Sequence, residues 1–217
     1  MRVDAVIFDM DGVLVDSEPL ALQAMRQVME RRGVTYTDAD NDEFVGRTTL
    51  EECQILTTRH RIGADPHDLV REYVAILVGM IREQPRPLPG VPEVLDDLHA
   101  AGYRMALASS ADPIVIAENV RTLGLGRFFE AIVSGTQVAR GKPEPDVFIE
   151  TARRLRLAPD RCLVVEDSRN GLLAAKAAGM ACAVVPCAST RHQDFREADY
   201  TLQALWDLRA VLGRAPR

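Results

Sequence analysis

The chain has 217 residues, 47% of them hydrophobic, and a net charge of -6. This length allows one substantial domain, or one domain with a modest insertion, and the apolar content excludes a disordered chain. Because the charge is negative and no block of Lys or Arg stands out, nucleic acid is not an expected partner. Most of the basic residues are arginines, and Lys142 and Lys176 are the only lysines. A lysine is therefore an unusual choice in this sequence.

The N-terminal segment and the cysteines indicate a cytoplasmic protein. The apolar run at residues 3–8 is too short for the core of a signal peptide. No run approaches the ~20 apolar residues that a membrane span needs. The four cysteines show no CxxC pairing, so reduced thiols are expected; they are Cys53, Cys162, Cys182 and Cys187. No motif indicates an oligomeric state, and a monomer is compatible with the sequence.

Five short β-rich runs alternate with helical patterns over most of the chain. The runs occupy residues 3–8, 103–108, 131–133, 162–165 and 181–185. Helix starts are indicated at Asp112-Pro113, at Pro145-Asp146 and at Ser168, because each precedes a helical pattern of apolar residues. Strands that alternate with helices predict an α/β, Rossmann-like parallel sheet covered on both faces.

Residues 17–84 interrupt this alternation, because their apolar spacing is helical throughout. We therefore predict a small helical bundle, inserted after the first strand as a cap domain. The α/β core would then comprise residues 1–16 and 85–217. The return segment at residues 84–90 is rich in proline, which predicts a stiff, extended linker.

Polar side chains follow the predicted strands at the points where these end. Ligands of an open parallel sheet bind beyond the carboxyl ends of its strands, so the fold would gather these side chains along one edge. The candidates are Asp9 and Asp11 after the first strand, Ser109 and Ser110 after the second, Lys142 in the loop after the third, and Glu166 and Asp167 after the fourth.

These residue types point to phosphoryl transfer. Neighbouring carboxylates raise one another's pKa, and a hard cation such as Mg²⁺ relieves this while also binding phosphate oxygens. With an ordinary pKa of about 3.9, Asp9 would be an anion able to attack phosphorus. Asp11 would protonate the departing oxygen and then activate the water that cleaves the aspartyl-phosphate. A calcium loop starting at Asp9 is rejected, since its sixth and twelfth positions hold Leu14 and Leu20.

The motifs together resemble those of the haloacid dehalogenase superfamily, in order and in spacing. They are Asp9-Met10-Asp11-Gly12-Val13, Ser109, Lys142-Pro143 and Glu166-Asp167. The helical insertion is similar to the mobile cap of the phosphoglycolate phosphatase and β-phosphoglucomutase branch. The resemblance implies Asp9 as nucleophile and Asp11 as acid/base. It also implies a magnesium ion held by Asp9, the main-chain oxygen of Asp11, and Asp167, with Glu166 near the metal.

The resemblance further implies how a small phosphorylated substrate would be bound. Ser109 and Lys142 would contact the transferred phosphoryl group. Ser110 is either a further phosphoryl contact or a local turn donor. Arg47, on the predicted cap, is either a substrate contact or an exposed charge.

Within the superfamily, the motifs favour a phosphatase. The namesake dehalogenases work without a metal and are expected to lack the second aspartate, whereas Asp11 is present here. Sugar phosphomutases carry a histidine where Ala21 stands, and their cap arginine comes later than Arg47. The resemblance therefore implies hydrolysis of a small phosphorylated metabolite, of the sugar phosphate or phosphoglycolate type. A sugar phosphomutase and a non-catalytic phosphometabolite-binding protein are the alternatives.

Overall fold

A computed structural model of the chain describes residues 2–44 and 48–213. The chain divides into two compact units. The core unit comprises the residues up to Asp16 together with those from Arg86 onward, and the helical unit comprises Ser17–Pro85. Within the described ranges, none of the helices combines the length and the apolar character needed to cross a membrane.

A parallel sheet of six strands, counted over the described residues, forms the centre of the core unit. Its strands are β1 (Ala5–Phe8), β2 (Arg104–Ser109), β3 (Ala131–Ser134), β4 (Cys162–Glu166), β5 (Ala181–Val184) and β6 (Tyr200–Thr201). The order across the sheet is β3-β2-β1-β4-β5-β6, so β1 lies between β2 and β4. Phe8 at the end of β1 pairs with Leu107 of β2 and with Val165 of β4. These three strands therefore end side by side.

The predicted α/β fold with a parallel sheet is confirmed. All four residues of β1 are buried, as expected for a strand covered on both faces. This strand starts at Ala5, two residues later than the sequence pattern predicts. The pattern does not predict β6, because that strand has only two residues, both exposed, and so lacks an apolar run.

Helices make up the described secondary structure of the helical unit. They are α1 (Glu18–Glu30), α2 (Asp38–Phe44), α3 (Thr49–Arg59) and α4 (Pro66–Glu83). Their apolar faces enclose a core that includes Met25, Met29, Leu56 and Leu69, each at most 2% exposed. Asp65 precedes α4, and its side chain accepts a hydrogen bond from a backbone N–H of the first turn. Such a cap satisfies one of the N–H groups that a helix start leaves unpaired.

The core unit carries further helices around its sheet. They are α5 (Val91–Ala100), α6 (Pro113–Thr122), α7 (Asp146–Leu155), α8 (Arg169–Ala177) and α9 (Leu208–Leu212). Asp112 caps α6 as predicted, since its Oδ1 accepts from the N–H of Ile114 at 2.9 Å. Ser168 caps α8 as predicted, since its Oγ accepts from the N–H of Gly171 at 3.1 Å. Helix α7 packs on β2 and β3, and α8 packs on β4 and β5.

The start of α5 lies against the only tryptophan of the chain. Gly90 precedes this helix with a φ of +82°, in the left-handed region that glycine adopts without strain. The ring of Trp206, a residue that is 50% exposed, lies so close that a β-carbon at position 90 would be 2.6 Å from one ring carbon. Backbone conformation and close packing therefore both require glycine where the chain enters α5.

Replacing Asp112 by Ala should destabilise the core unit, because the first turn of α6 loses an acceptor for one of its N–H groups. The expected cost is about 1 kcal/mol, measured as a lower midpoint of urea denaturation. Asp112→Ser is the control, since a serine oxygen can accept the same hydrogen bond. Equal losses in the two variants would contradict the capping role.

Candidate active site

The carboxyl ends of β1, β2 and β4 bring four polar side chains together. Asp9 follows β1 directly, Ser109 ends β2, and Glu166 ends β4 with Asp167 next in sequence. The N–H of Asp9 donates to the carbonyl oxygen of Val165 at 2.9 Å, which ties the end of β1 to that of β4. Each of the four polar residues is at most 7% exposed, although carboxylates are seldom buried without partners.

Lys142 supplies a buried positive charge from the loop between β3 and α7. Its Nζ donates to Asp9 Oδ1 at 2.6 Å, to Glu166 Oε1 at 2.5 Å and to the carbonyl oxygen of Ala108 at 3.3 Å. Each of the three N–H donors of the ammonium group thus has an acceptor. The ring of Phe148 lies 5.0 Å from Nζ, within the distance of a cation–π interaction. Burial lowers the pKa of Lys142, but Asp9 and Glu166 more than offset this and raise it above its ordinary value.

Glu166 is held on both of its carboxylate oxygens. Oε1 accepts from Lys142, as described above. Oε2 accepts from the N–H groups of Asp167 and Ser168, each at 3.0 Å, and from the Ser168 hydroxyl at 2.9 Å. A buried carboxylate with this many donors is fixed in one orientation. The residue that was expected near a metal is therefore also an anchor for Lys142.

Asp9, Glu166 and Asp167 form a cluster that could hold a metal ion. Each offers a carboxylate oxygen, and these oxygens lie within 4.8 Å of one another. Burial raises the pKa of Asp9 to about 8, while Lys142 acts against the rise and Glu166 and Asp11 add to it. Burial also raises the pKa of Asp167, and the charges of Glu166 and Asp9 add to the rise. A divalent cation would counter both shifts, because it favours the ionised carboxylates.

The expectation that Asp9 has an ordinary pKa is therefore wrong for the protein without a bound cation. An aspartate in water ionises near pH 4, but Asp9 is only 6% exposed and lies among other carboxylates. The sequence shows that acidic residues follow the strands, but not how completely the sheet removes them from water.

One carboxylate oxygen of Asp167 contacts two residues that the sequence motifs do not include, Cys187 and Thr190. Oδ2 accepts from the Cys187 thiol at 3.1 Å and from the Thr190 hydroxyl at 3.4 Å. Gly12 lies against the same atom, since a β-carbon at position 12 would come within 2.3 Å of it. The one available signal for Cys187 and Thr190 is their place in the loop after β5, which starts at the same edge of the sheet.

Ser109 links the end of β2 to Asp11. Its hydroxyl donates to Asp11 Oδ2 at 3.4 Å and accepts from the N–H of Ala111 at 3.1 Å. Ser110 is exposed next to it, and Arg47 lies outside the described residues. The predicted site residues that the structure brings together are Asp9, Asp11, Ser109, Lys142, Glu166 and Asp167.

The chain matches a known family over most of its length. The model of the haloacid dehalogenase-like hydrolases covers residues 3–179. The chain belongs to this family. The superfamily predicted from the motifs is thereby confirmed.

Relatives of this haloacid dehalogenase-like hydrolase include named phosphatases. A phosphorylated carbohydrates phosphatase of Thermotoga maritima is 35% identical over 178 residues, which cover 82% of each chain. The fructose-1-phosphate phosphatase YqaB of Escherichia coli is 34% identical over 180 residues, which cover 82% of this chain and 94% of the relative. A crystal structure of CbbY from Rhodobacter sphaeroides in complex with phosphate has a TM-score of 0.87 at 29% identity, covering 95% of this chain and 96% of that one. The family and these relatives support the predicted enzyme class, a hydrolase of phosphoric monoesters.

Replacing Lys142 by Met should destabilise the protein strongly, because two buried carboxylates lose their cationic partner. Loss of one member of a buried ion pair typically costs about 3–5 kcal/mol. Lys176→Met is the matched control, since Lys176 pairs with Asp199 at 2.8 Å near the surface and should cost at most about 1 kcal/mol. Urea denaturation of chelator-treated protein at neutral pH measures both. Similar small losses of unfolding free energy in the two variants would contradict a stabilising role of the buried Lys142 charge.

Proposed function

We propose that this haloacid dehalogenase-like hydrolase is a Mg²⁺-dependent phosphatase of small phosphorylated metabolites, of the sugar phosphate type. The reaction would pass through an aspartyl-phosphate on Asp9. The observation that carries the proposal is the contact of Lys142 Nζ with Asp9 Oδ1, at 2.6 Å, beside a cluster of buried carboxylates. A fixed cation next to a carboxylate favours attack on an anionic ester, because it offsets the repulsion between the two anions.

Asp9 and Asp11 are assigned the two chemical steps. A carboxylate oxygen of Asp9 bonds to phosphorus while the ester oxygen leaves in line, and Asp11 donates a proton to that leaving oxygen. Asp11 then takes a proton from the water that attacks the phosphorus. The second displacement releases inorganic phosphate and restores the carboxylate of Asp9. The hydrogen bond from Ser109 to Asp11 supports this assignment, since it holds the Asp11 side chain at the edge where Asp9 lies.

The oxygen donors of the site suit magnesium. We assign as ligands one carboxylate oxygen each from Asp9 and Asp167 and the main-chain oxygen of Asp11, with Glu166 beside them. Hard oxygen ligands of this kind are those that Mg²⁺ prefers. When bound, the ion would neutralise carboxylate charge and polarise the phosphoryl group.

Lys142 and Ser109 are the proposed contacts of the transferred phosphoryl group, with Ser110 as a further donor. Of the two interpretations of Arg47, a substrate contact or an exposed charge, we propose the substrate contact. The sugar phosphate class is supported by the names of two relatives, one acting on phosphorylated carbohydrates and one on fructose-1-phosphate. A cytoplasmic location stays a prediction.

Asp9→Asn should abolish the release of inorganic phosphate from a panel of sugar phosphates and from p-nitrophenyl phosphate in Mg²⁺ buffer. An amide is a poor nucleophile, so kcat/KM should fall at least about a thousandfold. Asp160→Asn is the control, because Asp160 is an exposed aspartate just before β4, at the opposite end of that strand. Its turnover should equal that of the wild type.

Two results would count against the proposed phosphatase. If Asp9→Asn keeps wild-type turnover, the nucleophile is misassigned. If the wild type instead accumulates an isomerised sugar phosphate with little free phosphate, the enzyme is a phosphomutase.

Removal of divalent metal with EDTA should stop turnover, and added Mg²⁺ should restore it. Asp167→Asn loses a charged ligand, so its Kd for Mg²⁺ should rise at least about tenfold. Isothermal titration calorimetry measures this binding without any substrate, with Asp160→Asn as control. Turnover that persists in EDTA, or unchanged Mg²⁺ binding by Asp167→Asn, would contradict the assigned metal site.

A further inference from the structure

Gly171 lies in the first turn of α8, which follows β4. A helix is generally more stable with alanine than with glycine, so helix formation by itself does not account for this residue. A β-carbon at position 171 would lie 1.8 Å from both Cδ and Oε1 of Glu166, and 2.3 Å from Oε2. The carboxylate of Glu166 therefore occupies the space that any side chain at position 171 would need.

Gly79 of α4 gives a contrast within the same chain. Apart from its chain neighbours and the backbone of its own helix, a β-carbon at position 79 would have no atom within 4 Å. Alanine should therefore be accepted at position 79, where only helix propensity matters, and rejected at position 171, where Glu166 fills the space.

The position of the Glu166 carboxylate matters because it fixes Lys142. Its Oε2 is anchored by three donors from Asp167 and Ser168, and its Oε1 accepts from Lys142 Nζ at 2.5 Å. The same Nζ donates to Asp9 Oδ1 at 2.6 Å. A displaced carboxylate would remove one of the three acceptors of the ammonium group and release it from its place beside Asp9.

We propose that Gly171 is a positioning residue: it leaves the space for Glu166, and through Glu166 it holds Lys142 against Asp9. A methyl group at position 171 would overlap the carboxylate, so Glu166 or the first turn of α8 would have to move. Because Glu166 accepts a hydrogen bond from Lys142, a movement of Glu166 would also displace Lys142 from Asp9. The role in turnover rests on the proposed phosphatase function, whereas the contacts among Gly171, Glu166 and Lys142 exist without it.

Acetylation of lysines tests these contacts without any turnover. The chain has only two lysines, Lys142 with a side chain 6% exposed and Lys176 with one 34% exposed. In Gly171→Ala, kept folded in Mg²⁺ buffer, the acetylation rate of Lys142 relative to Lys176 should rise at least about tenfold, because a lysine released from a buried ion pair becomes accessible. Peptide mass spectrometry measures the ratio. Gly79→Ala should leave both the ratio and the turnover unchanged, and a wild-type ratio in Gly171→Ala would overturn the proposal.

A double-mutant cycle separates this role from a general packing effect. Glu166→Asp shortens the side chain and withdraws its carboxyl group from the space beside position 171. Gly171→Ala should lower kcat/KM at least about tenfold in the wild-type background, but less than about twofold in the Glu166→Asp background.

Gly171→Ala should also lower the thermal unfolding midpoint more in the wild-type background than in the Glu166→Asp background. This second measurement keeps the test valid if the Gly171→Ala single variant folds poorly. Equal effects of Gly171→Ala in the two backgrounds would overturn the proposal. If the wild-type protein shows no phosphatase activity, the proposed function is refuted. The acetylation ratio would still decide whether Gly171 positions Glu166 and Lys142.

Discussion

The ammonium group of Lys142 lies between the buried carboxylates of Asp9 and Glu166, and the end of the sheet is organised around this contact. Burying an unpaired charge costs several kcal/mol, so these acidic residues can be buried at the strand ends only with a cation among them. One ammonium group does not balance the three carboxylates of the cluster, which include Asp167. Burial is the main cause of the raised pKa values of Asp9 and Asp167, and the neighbouring carboxylates add to it. A further, divalent cation would favour the ionised forms of both groups.

The strand order explains how a single lysine can reach so many partners. The loop that carries Lys142 follows β3, at one side of the sheet, and its side chain contacts groups belonging to the next three strands. Nζ meets the carbonyl oxygen of Ala108 in β2, then Asp9 after β1, then Glu166 at the end of β4. A long, flexible side chain with three donors suits this task, whereas the planar guanidinium of arginine presents its donors in a fixed fork. This offers a physical reason for a lysine in a chain that otherwise uses arginine.

The features that could be predicted from the sequence are those with a local signal. Buried parallel strands are continuous apolar runs, so the acidic residues that end them, such as Asp9, are conspicuous. Cys187 and Thr190 carry no such signal, because their contact with Asp167 depends on how the loop after β5 turns. The raised pKa of Asp9 arises mainly from burial between strands that lie far away in the sequence. In the sequence, Gly171 is only a weak helix former, and its role depends on the Glu166 carboxylate that fills the space beside it.

The packing of Trp206 on Gly90 also gives the protein a built-in optical reporter. Because the chain has one tryptophan, selectively excited fluorescence comes from a single position, and the half-exposed indole is sensitive to changes in its surroundings. The indole packs against Gly90, the residue at which the proline-rich return segment becomes helix α5. A shift in emission during a titration with phosphate or metal would therefore report on this junction, without an engineered label and without averaging over the rest of the molecule.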